Sequence, residues 1–377
     1  MKPAGLYIHI PFCMAKCHYC DFFSVRPAPG RITPLVTALV RELAASPIER
    51  EGLPVRSIFV GGGTPTALPS GELGRLFRVL NRLNRRDHPA EFTVEANPAT
   101  LDETRISILR DSGVNRISLG AQSFNLVELD TLGRIHGPED ILRTVDLVRR
   151  SGIGRLNLDL IFGIPGQTRA SWGRSLAEAI GTGVEHISCY ALTYEPGTLL
   201  YERRTRGLIQ PPDEELEAAM YEQAIDTLTA AGFDQYEISN FARPGAACLH
   251  NLGYWTGEPY IGIGPSAAGY INGHRLRNVA DVDEYVRLVM AGESPVIERE
   301  RLNPRRRAGE AAMLELRLCA GIDRERFRER FGHDPVTLFG DAIGVHTANG
   351  RITVTPTHVR LTRVGQLVAD AVIADFL

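Results

Sequence analysis

Residues 6–20 read LYIHIPFCMAKCHYC, an apolar run with the character of a β-strand that leads directly into three cysteines. Cys13, Cys17 and Cys20 are spaced by four residues and then by three, so their thiolates can converge on one compact centre. A zinc site usually takes four protein ligands, often in pairs well apart in sequence. A cubane iron–sulfur cluster on three cysteines fits the pattern better, and it leaves one iron open to a small molecule. Zinc binding and incidental clustering are the alternatives.

The composition is that of an ordinary globular chain, with 377 residues of which 44% are hydrophobic and 23% charged. The formal net charge of −3 gives no general attraction to polyanions, so we expect no nucleic-acid partner. No apolar run reaches the roughly 18–20 residues of a membrane span, and the N-terminus lacks the apolar core of a secretory signal. The expected location is therefore the cytoplasm, where clustered cysteines more often bind metal than form disulfides.

Strand-like and helix-like segments alternate through the first two-thirds of the chain. Amphipathic segments with cap residues lie between the strand-like runs, as where Thr168 precedes Trp172 and Leu176. This repetition predicts a parallel sheet with right-handed crossovers. The predicted fold class is α/β, a partial (β/α)6-type barrel, and a doubly wound open sheet is the structural alternative. The predicted strands are Leu6–Ile10, Val55–Val60, Glu91–Ala96, Arg116–Leu119, Arg155–Ile161 and His186–Leu192, with a weaker one at Tyr236–Ser239.

Three regions follow from this alternation. Residues 1–245 form the predicted barrel. Residues 246–300 predict a loop-rich connecting region, because glycine and proline interrupt the periodicity there. Residues 301–377 predict a smaller, mostly helical C-terminal domain, with helices over Arg305–Cys319 and Arg324–Phe331.

Polar residues and glycines follow the predicted strands at equivalent places. Active sites of β/α barrels gather at the C-terminal ends of the strands, so these residues are expected to share one rim. The glycines would let the backbone approach a ligand closely. Glu95 and Asp159 can accept hydrogen bonds from ribose hydroxyls, and Arg134 can offset a carboxylate. In chain order the rim carries the cysteine loop, Gly61–Thr66, Glu95 and Asn97, Gln122 and Ser123, Asp159, and Tyr190–Ala191.

With these motifs the chain resembles the radical S-adenosylmethionine (SAM) superfamily, and within it the oxygen-independent coproporphyrinogen III oxidase group. The resemblance spans nearly all of residues 5–200, and the C-terminal region is similar to that group's C-terminal domain. The matching stretches are Tyr7–Cys13 with Cys17 and Cys20, Gly61–Thr66, Glu95–Pro98, Arg116–Phe124, Leu132–His136, Asp159–Pro165 and Tyr190–Leu192.

The resemblance implies a 4Fe–4S cluster on Cys13, Cys17 and Cys20, with SAM chelating the open iron through its amino and carboxylate groups. It implies that an electron from the reduced cluster cleaves SAM to methionine and a 5′-deoxyadenosyl radical. The positions that match the family around SAM are Gly62, Gly63, Thr64, Glu95, Gln122, Arg134, Asp159 and Ala191, and those beside the cluster are Tyr7 and Tyr19.

Two functions compete within this group. The oxidase, which decarboxylates two propionates of coproporphyrinogen III, typically has a longer N-terminal segment and a further cysteine two residues after the third. Here 12 residues precede Cys13, and Phe22 stands at the position of that further cysteine. The chain is more similar to a subgroup of haem chaperones, which implies binding of haem as cargo and its transfer to acceptor proteins. A different radical enzyme acting on tetrapyrroles, such as a haem-degrading methyltransferase, is a third hypothesis.

The haem-chaperone subgroup also has a His-Asn-x-x-Tyr-Trp stretch, found here as HNLGYW at residues 250–255. His250 would ligate the haem iron, since a neutral imidazole is a common axial ligand. Tyr254 and Trp255 would offer flat faces to the macrocycle, and Asn251 would orient the ring or a propionate. The alternative is a buried histidine with its hydrogen bonds satisfied, packed on two aromatic residues. Further candidates are Cys248 as a second ligand and Arg243, Arg275 and Arg277 as partners of propionates.

The expected partners follow from the chaperone hypothesis. They are haem, haem-accepting apo-proteins such as respiratory proteins, and an electron donor for the cluster. Transient membrane contact during delivery and a homodimer are both compatible with the sequence, which shows no membrane anchor.

Overall fold

The computed structural model describes residues 2–377. Strands are numbered in chain order. They are β1 (Ala4–Ile10), β2 (Val55–Gly62), β3 (Glu91–Ala96), β4 (Arg116–Gln122), β5 (Arg155–Phe162), β6 (His186–Ala191), β7 (Asp234–Glu237), β8 (Asn240–Ala242), β9 (Tyr260–Ile263), β10 (Ala268–Ile271), β11 (His274–Asn278), β12 (Val296–Glu300), β13 (Ile322–Asp323), β14 (Ile352–Val354) and β15 (His358–Leu361).

Helices are numbered in the same way. They are α1 (Pro29–Ala45), α2 (Pro47–Arg50), α3 (Ser70–Asp87), α4 (Glu103–Asp111), α5 (Leu126–Thr131), α6 (Pro138–Ser151), α7 (Arg169–Gly181), α8 (Leu199–Thr205), α9 (Glu214–Ala230), α10 (Leu249–Trp255), α11 (Val282–Ala291), α12 (Pro304–Glu315), α13 (Arg324–Phe331), α14 (Pro335–Leu338), α15 (Gly340–Ala348), α16 (Arg363–Leu367) and α17 (Ala369–Ala374). No helix within residues 2–377 is both long and apolar enough to cross a membrane.

Strands β1 to β6 lie side by side in chain order and are all parallel. Each is followed by a crossover that contains at least one helix, and α1, α3, α4 and α6 pack as successive neighbours. The amphipathic patterns position these helices, as in α3, which buries Leu73, Leu76, Phe77, Leu80 and Leu83 against the sheet. The predicted partial barrel of six parallel strands is confirmed, because the C-terminal ends of β1 to β6 meet at one rim.

Residues 246–300 differ from the loop-rich region expected from the sequence. They form helices α10 and α11 and four strands, of which β9 pairs in parallel with β1 while β10, β11 and β12 continue antiparallel. Asn272 and Gly273, both at positive φ, make the two-residue turn between β10 and β11. The sequence analysis missed strands β9 to β12 because each is only four or five residues long, although an Asn-Gly pair is a strong hairpin signal.

The C-terminal residues form a second, smaller core beside the barrel. Helices α12 to α17 surround the three-stranded antiparallel sheet β13–β15–β14, and Phe327, Phe339 and Phe376 pack at the centre. Ile238 packs against both this core and the barrel core, so the two regions are joined by apolar contact.

Candidate functional site

The cysteine loop is fixed at its base by backbone hydrogen bonds. Beyond β1, the Cys13 amide donates to the Val25 carbonyl at 3.1 Å, and the Val25 amide donates to the Pro11 carbonyl at 2.7 Å. The glycine turn after β2 lies directly on this loop, because a Cβ on Gly63 would lie 2.7 Å from the Phe12 carbonyl oxygen. The loop therefore carries three half-buried thiols. The backbone of the glycine turn can approach this loop so closely because glycine has no Cβ.

Arg134 lies among these thiols. Its Nη1 donates to the Cys17 Sγ at 3.1 Å, and its Nη2 donates to the Gly120 carbonyl at 2.8 Å and to Asn97 Oδ1. Burial raises the pKa of the Cys20 thiol to about 11, and it also raises the pKa of Cys13. Iron ligation requires thiolates, and a buried guanidinium beside Cys17 favours them.

The donor set fits a 4Fe–4S cluster. Three half-buried thiols stand on one loop, and the guanidinium of Arg134 offsets their charge. Among residues 2–377, no group of three or more His, Cys, Asp or Glu side chains is placed to hold a single metal ion. Cys13 Sγ lies 3.6 Å from Thr64 Oγ1, so Thr64 also borders this centre.

A cavity of about 490 Å³ opens beside the cysteine loop inside the barrel. Glu95 accepts a hydrogen bond from the Gly62 amide at 3.0 Å, and Asp159 accepts from Ser118 Oγ at 3.0 Å and Asn157 Nδ2 at 2.8 Å. Burial and, second, the charge of Asp159 raise the pKa of Glu95 to about 7. The cavity walls carry Tyr19, Cys20, Glu95, Gln122, Asp159 and Ala191.

Gln122 has a backbone conformation unusual for its residue type, with φ of +67° at the end of β4. This left-handed conformation costs on the order of 1–3 kcal/mol in a residue other than glycine. This conformation brings the side-chain amide of Gln122 over Gly120. A Cβ on Gly120 would lie 2.8 Å from Gln122 Nε2. The side chain is thereby held at the rim, next to the carbonyl that Arg134 binds.

Tyr7 lies beneath the glycine turn. Its hydroxyl lies 3.0 Å from His9 Nδ1, and His9 Nε2 lies 3.0 Å from the Phe23 carbonyl. A Cβ on Gly62 would lie 2.4 Å from the His9 ring. His9 was not among the predicted site residues, although polar residues at alternate positions of an apolar strand were the available signal.

The polar interior of the barrel was mostly missed by the sequence analysis. His186 Nδ1 lies 2.6 Å from Asn157 Oδ1, its Nε2 lies 2.9 Å from the Tyr236 hydroxyl, and Ser188 donates to Asn157 at 3.2 Å. Arg116 is buried and donates to the Ala246 carbonyl at 3.2 Å. The signal was the alternation of polar and apolar residues along β4, β5 and β6, which places one polar set on the inner face.

Both ring nitrogens of His250 lie within hydrogen-bond distance of hydroxyl groups in this structure. Its Nδ1 lies 2.9 Å from Ser57 Oγ, its Nε2 lies 2.8 Å from the Tyr254 hydroxyl, and its ring stacks on Phe59 at 5.2 Å. Burial lowers its pKa to about 3, and its side chain is 2% exposed. These are the contacts of a buried, hydrogen-bonded histidine, and ligation of haem iron by His250 stays a prediction.

The HNLGYW stretch does not converge on one site. Asn251 lines the barrel cavity with Glu95 and Asp159, whereas Tyr254 and Trp255 line a different cavity. The reason is that the stretch lies on the seven-residue helix α10, where neighbouring residues point in directions about 100° apart.

The other haem candidates named from the sequence are already engaged. Cys248 Sγ donates to Glu91 at 3.2 Å, and burial raises its pKa to about 12. Arg243 stacks on Phe233, with its guanidinium carbon 4.6 Å from the ring centroid. The remaining two arginines form ion pairs, Arg275 with Glu300 and Glu310 and Arg277 with Glu298.

Comparison with known families follows the same division of the chain. The profile of the Radical SAM superfamily matches residues 7–179, and that of the HemN C-terminal domain matches residues 302–368. Among solved structures, coproporphyrinogen III oxidase (HemN) from Escherichia coli superposes with a TM-score of 0.84 at 22% identity, covering 99% of this chain and 90% of that one. At this identity the likeness shows the fold.

Sequence relatives extend over the whole chain. A protein named heme chaperone HemW from Bacillus subtilis is 38% identical over 100% of this chain and 99% of its own length. The protein of the same name from Mycobacterium tuberculosis is 36% identical over 100% of this chain and 95% of its own length. The one from Escherichia coli is 40% identical over 72% of this chain and 71% of its own length. This chain therefore belongs to the HemW family of the radical SAM superfamily.

Proposed function

We propose that this protein binds haem and passes it to acceptor proteins, and that Cys13, Cys17 and Cys20 hold a 4Fe–4S cluster with SAM on its open iron. The observation that carries the proposal is the match along the full length of the chain to proteins named heme chaperone HemW. The proposal keeps the cytoplasmic location expected from the sequence and leaves the acceptor and the electron donor to be identified.

Different residues of the chain hold the 4Fe–4S cluster and SAM. The three thiols are the iron ligands, and Arg134 offsets the negative charge next to them. Glu95 and Asp159 face the same cavity and accept hydrogen bonds from the hydroxyls of SAM, while Gly62 and Gly63 let its polar end approach the backbone. When bound, the reduced cluster supplies the electron that cleaves SAM.

Phe22 separates this proposal from the oxidase alternative. Its side chain is 65% exposed and lies at the cavity, two residues after Cys20. The oxidase group, as the sequence resemblance has it, carries a cysteine here. A phenyl ring removes any thiol chemistry from this position, which favours haem handling over propionate decarboxylation.

The experiment is a haem titration of the anaerobically reconstituted protein, followed by the Soret band. We expect saturation near one haem per chain and no conversion of coproporphyrinogen III when SAM and a reductant are supplied. Turnover of coproporphyrinogen without saturable haem binding would overturn the proposal in favour of the oxidase. The cluster assignment has its own readout, since Cys13→Ser should lose iron and brown absorbance while the half-buried Cys319→Ser keeps both.

A further inference from the structure

Arg116 is a buried cation inside the barrel that has no ion-pair partner. It is the first residue of β4, it is 2% exposed, and it lines the same cavity as Glu95 and Asp159. Among residues 2–377, its guanidinium donates one hydrogen bond, from Nη1 to the Ala246 carbonyl at 3.2 Å, and no carboxylate oxygen lies within 4.0 Å of it. A guanidinium has five N–H donors, so most of those on Arg116 are unused by the chain.

The two carboxylates whose charges act on Arg116 are Glu91 and Asp159, and both are bonded to other groups. Glu91 accepts hydrogen bonds from two backbone amides at the start of α10, at 3.0 and 3.1 Å, and from the Cys248 thiol at 3.2 Å. Asp159 accepts from polar side chains of β4 and β5 at 3.0 and 2.8 Å. Since a buried charge is costly unless it is paired and hydrogen-bonded, the unused donors of Arg116 point to a partner from outside the chain.

A second buried group at this cavity is also unsatisfied. Asn240 of β8 is 3% exposed and lines the cavity, and its Oδ1 accepts no hydrogen bond from any residue between 2 and 377. Its Nδ2 is already used, because it donates to Glu237. Leaving a buried acceptor unpaired costs on the order of 1–3 kcal/mol, so the group calls for an explanation. The cavity thus offers free donors on Arg116 and a free acceptor on Asn240.

Arg116 begins well below the rim at which we place SAM. It precedes Gln122 by six residues along β4, which at the rise of a strand separates the two Cα atoms by roughly 20 Å. Asn240 lies between these levels, since its register partner Ser188 stands beside Asp159. The cavity of about 490 Å³ carries both Arg116 and Gln122 on its wall, and its volume is typical of small-molecule sites. A ligand on Arg116 and Asn240 would therefore occupy the lower part of the cavity and leave the rim to SAM.

The two free groups define the chemistry of such a ligand. A carboxylate is the acceptor that matches a guanidinium in both charge and geometry. A hydroxyl or amino group beside the carboxylate would donate to Asn240 Oδ1. The neighbouring part of the wall is mainly polar, with Asn157, His186, Ser188 and Asn251. The molecule that fits is therefore small and polar, and it carries a carboxylate and a hydrogen-bond donor.

We propose that the lower part of the barrel cavity binds a small hydroxy- or amino-carboxylate, with its carboxylate on Arg116 and its donor on Asn240 Oδ1. The roles given above to residues around SAM use neither Arg116 nor Asn240, so the site adds a second small-molecule ligand to the barrel. It goes beyond the proposed haem function and is tested without haem.

The test is isothermal titration calorimetry of the anaerobically reconstituted protein with L-lactate and with L-lactamide, its neutral analogue. We expect lactate to bind at least tenfold more tightly than lactamide, both without SAM and with saturating SAM. Arg116→Gln removes the cation and should abolish this preference. Asn251→Asp adds a negative charge to the cavity wall at nearly constant volume and should weaken lactate binding at least tenfold. Asn349→Asp makes the same change at an exposed residue after α15, and as the matched control it should bind lactate like the wild type.

The outcomes decide the site independently of the proposed function. If the wild type binds lactate no better than lactamide, or binds neither, the site is wrong whatever the haem titration shows. Lactate binding that is lost when SAM is added would mean that both ligands compete for one space, and would also overturn a separate site. Thermal unfolding shows whether each variant is folded. If Arg116→Gln does not fold, Asn251→Asp decides, and an unchanged lactate affinity in that variant would place the carboxylate elsewhere.

Discussion

Arg134 Nη1 lies 3.1 Å from Cys17 Sγ, and the same guanidinium donates to the carbonyl of Gly120 at the end of β4. One side chain thus joins the cysteine loop after β1 to the strand end that carries Gln122. Hydrogen bonds to charged groups are worth roughly 1.5–3 kcal/mol, so these contacts stabilise both the thiolate of Cys17 and the C-terminal end of β4.

Removing that guanidinium should weaken the cofactor site without unfolding the chain. We expect Arg134→Met to lower the iron retained per chain and to weaken SAM binding about 10- to 100-fold, which corresponds to the loss of one charge-assisted hydrogen bond. Iron analysis and equilibrium dialysis with SAM measure the two effects. Arg143→Met, at an exposed arginine of α6, is the control. Equal iron and SAM binding in both variants would contradict the role of Arg134.

Gly63 should tolerate no side chain. A Cβ there would lie 2.7 Å from the Phe12 carbonyl oxygen and 2.9 Å from that of Ile10, and neither backbone atom can move away without shifting the cysteine loop. We expect Gly63→Ala to lower the melting temperature and the iron content together. Gly344→Ala is the matched control in α15, where a Cβ meets nothing within 4 Å and should stabilise the chain by about 0.5–1 kcal/mol. Normal iron loading in Gly63→Ala would show that the two loops are not in contact.

Glu95 should make the cluster-free protein less stable as pH rises. Burial holds its pKa at about 7 in the folded chain against 4.5 as the ordinary value. Between these values the folded state binds the proton and the unfolded state has lost it, so stability falls from pH 4.5 to pH 7. Since one pKa unit corresponds to about 1.4 kcal/mol, the loss is on the order of 3 kcal/mol.

Glu95→Gln removes the titrating group and should flatten that slope. The free energy of unfolding should differ less between pH 5 and pH 8 in this variant than in the wild type. Glu178→Gln, at an exposed glutamate of α7, should keep the wild-type difference. An unchanged slope in Glu95→Gln would mean that another group governs the pH dependence.

His250 should act as a structural residue. The buried His250 ring lies between Phe59 and Tyr254, and its removal leaves a cavity and unsatisfied hydroxyls on Ser57 and Tyr254. We therefore expect His250→Ala to lower the free energy of unfolding by about 2–4 kcal/mol. The Soret maximum of bound haem should keep its wavelength, because both ring nitrogens are engaged in hydrogen bonds to Ser57 and Tyr254. A shifted maximum together with a normal melting temperature would assign His250 to the iron after all.

The local chemistry of the cofactor site could be predicted from the sequence. The six parallel strands have strong apolar patterns, and the C-terminal ends of such strands meet by geometry, so Glu95, Gln122 and Asp159 were expected at one rim with the cysteine loop. The structure places all three on the wall of one cavity. Ser118, which donates a hydrogen bond to Asp159, was harder to foresee, because a polar residue inside a barrel strand has the same pattern as one facing solvent.

The region after residue 245 was the hardest to predict. Strands β9 to β12 are short, and β9 gains its partner from β1, more than 250 residues earlier in the chain. Periodicity within a window of sequence carries no information about such a distant pairing. The same holds for the cavity of about 390 Å³ lined by Tyr260, Tyr270 and Ala311, whose two walls come from β9–β10 and from α12 and meet only because the C-terminal domain packs against β9 and β10.

The sequence by itself determined the partial barrel, the cysteine loop and the polar residues at the rim, since each depends on strand patterns and on motifs contained within one short stretch. Only the tertiary structure decided the surroundings of His250. A histidine is a ligand or a packing residue according to which atoms reach its two nitrogens, and here Ser57 and Tyr254 reach both.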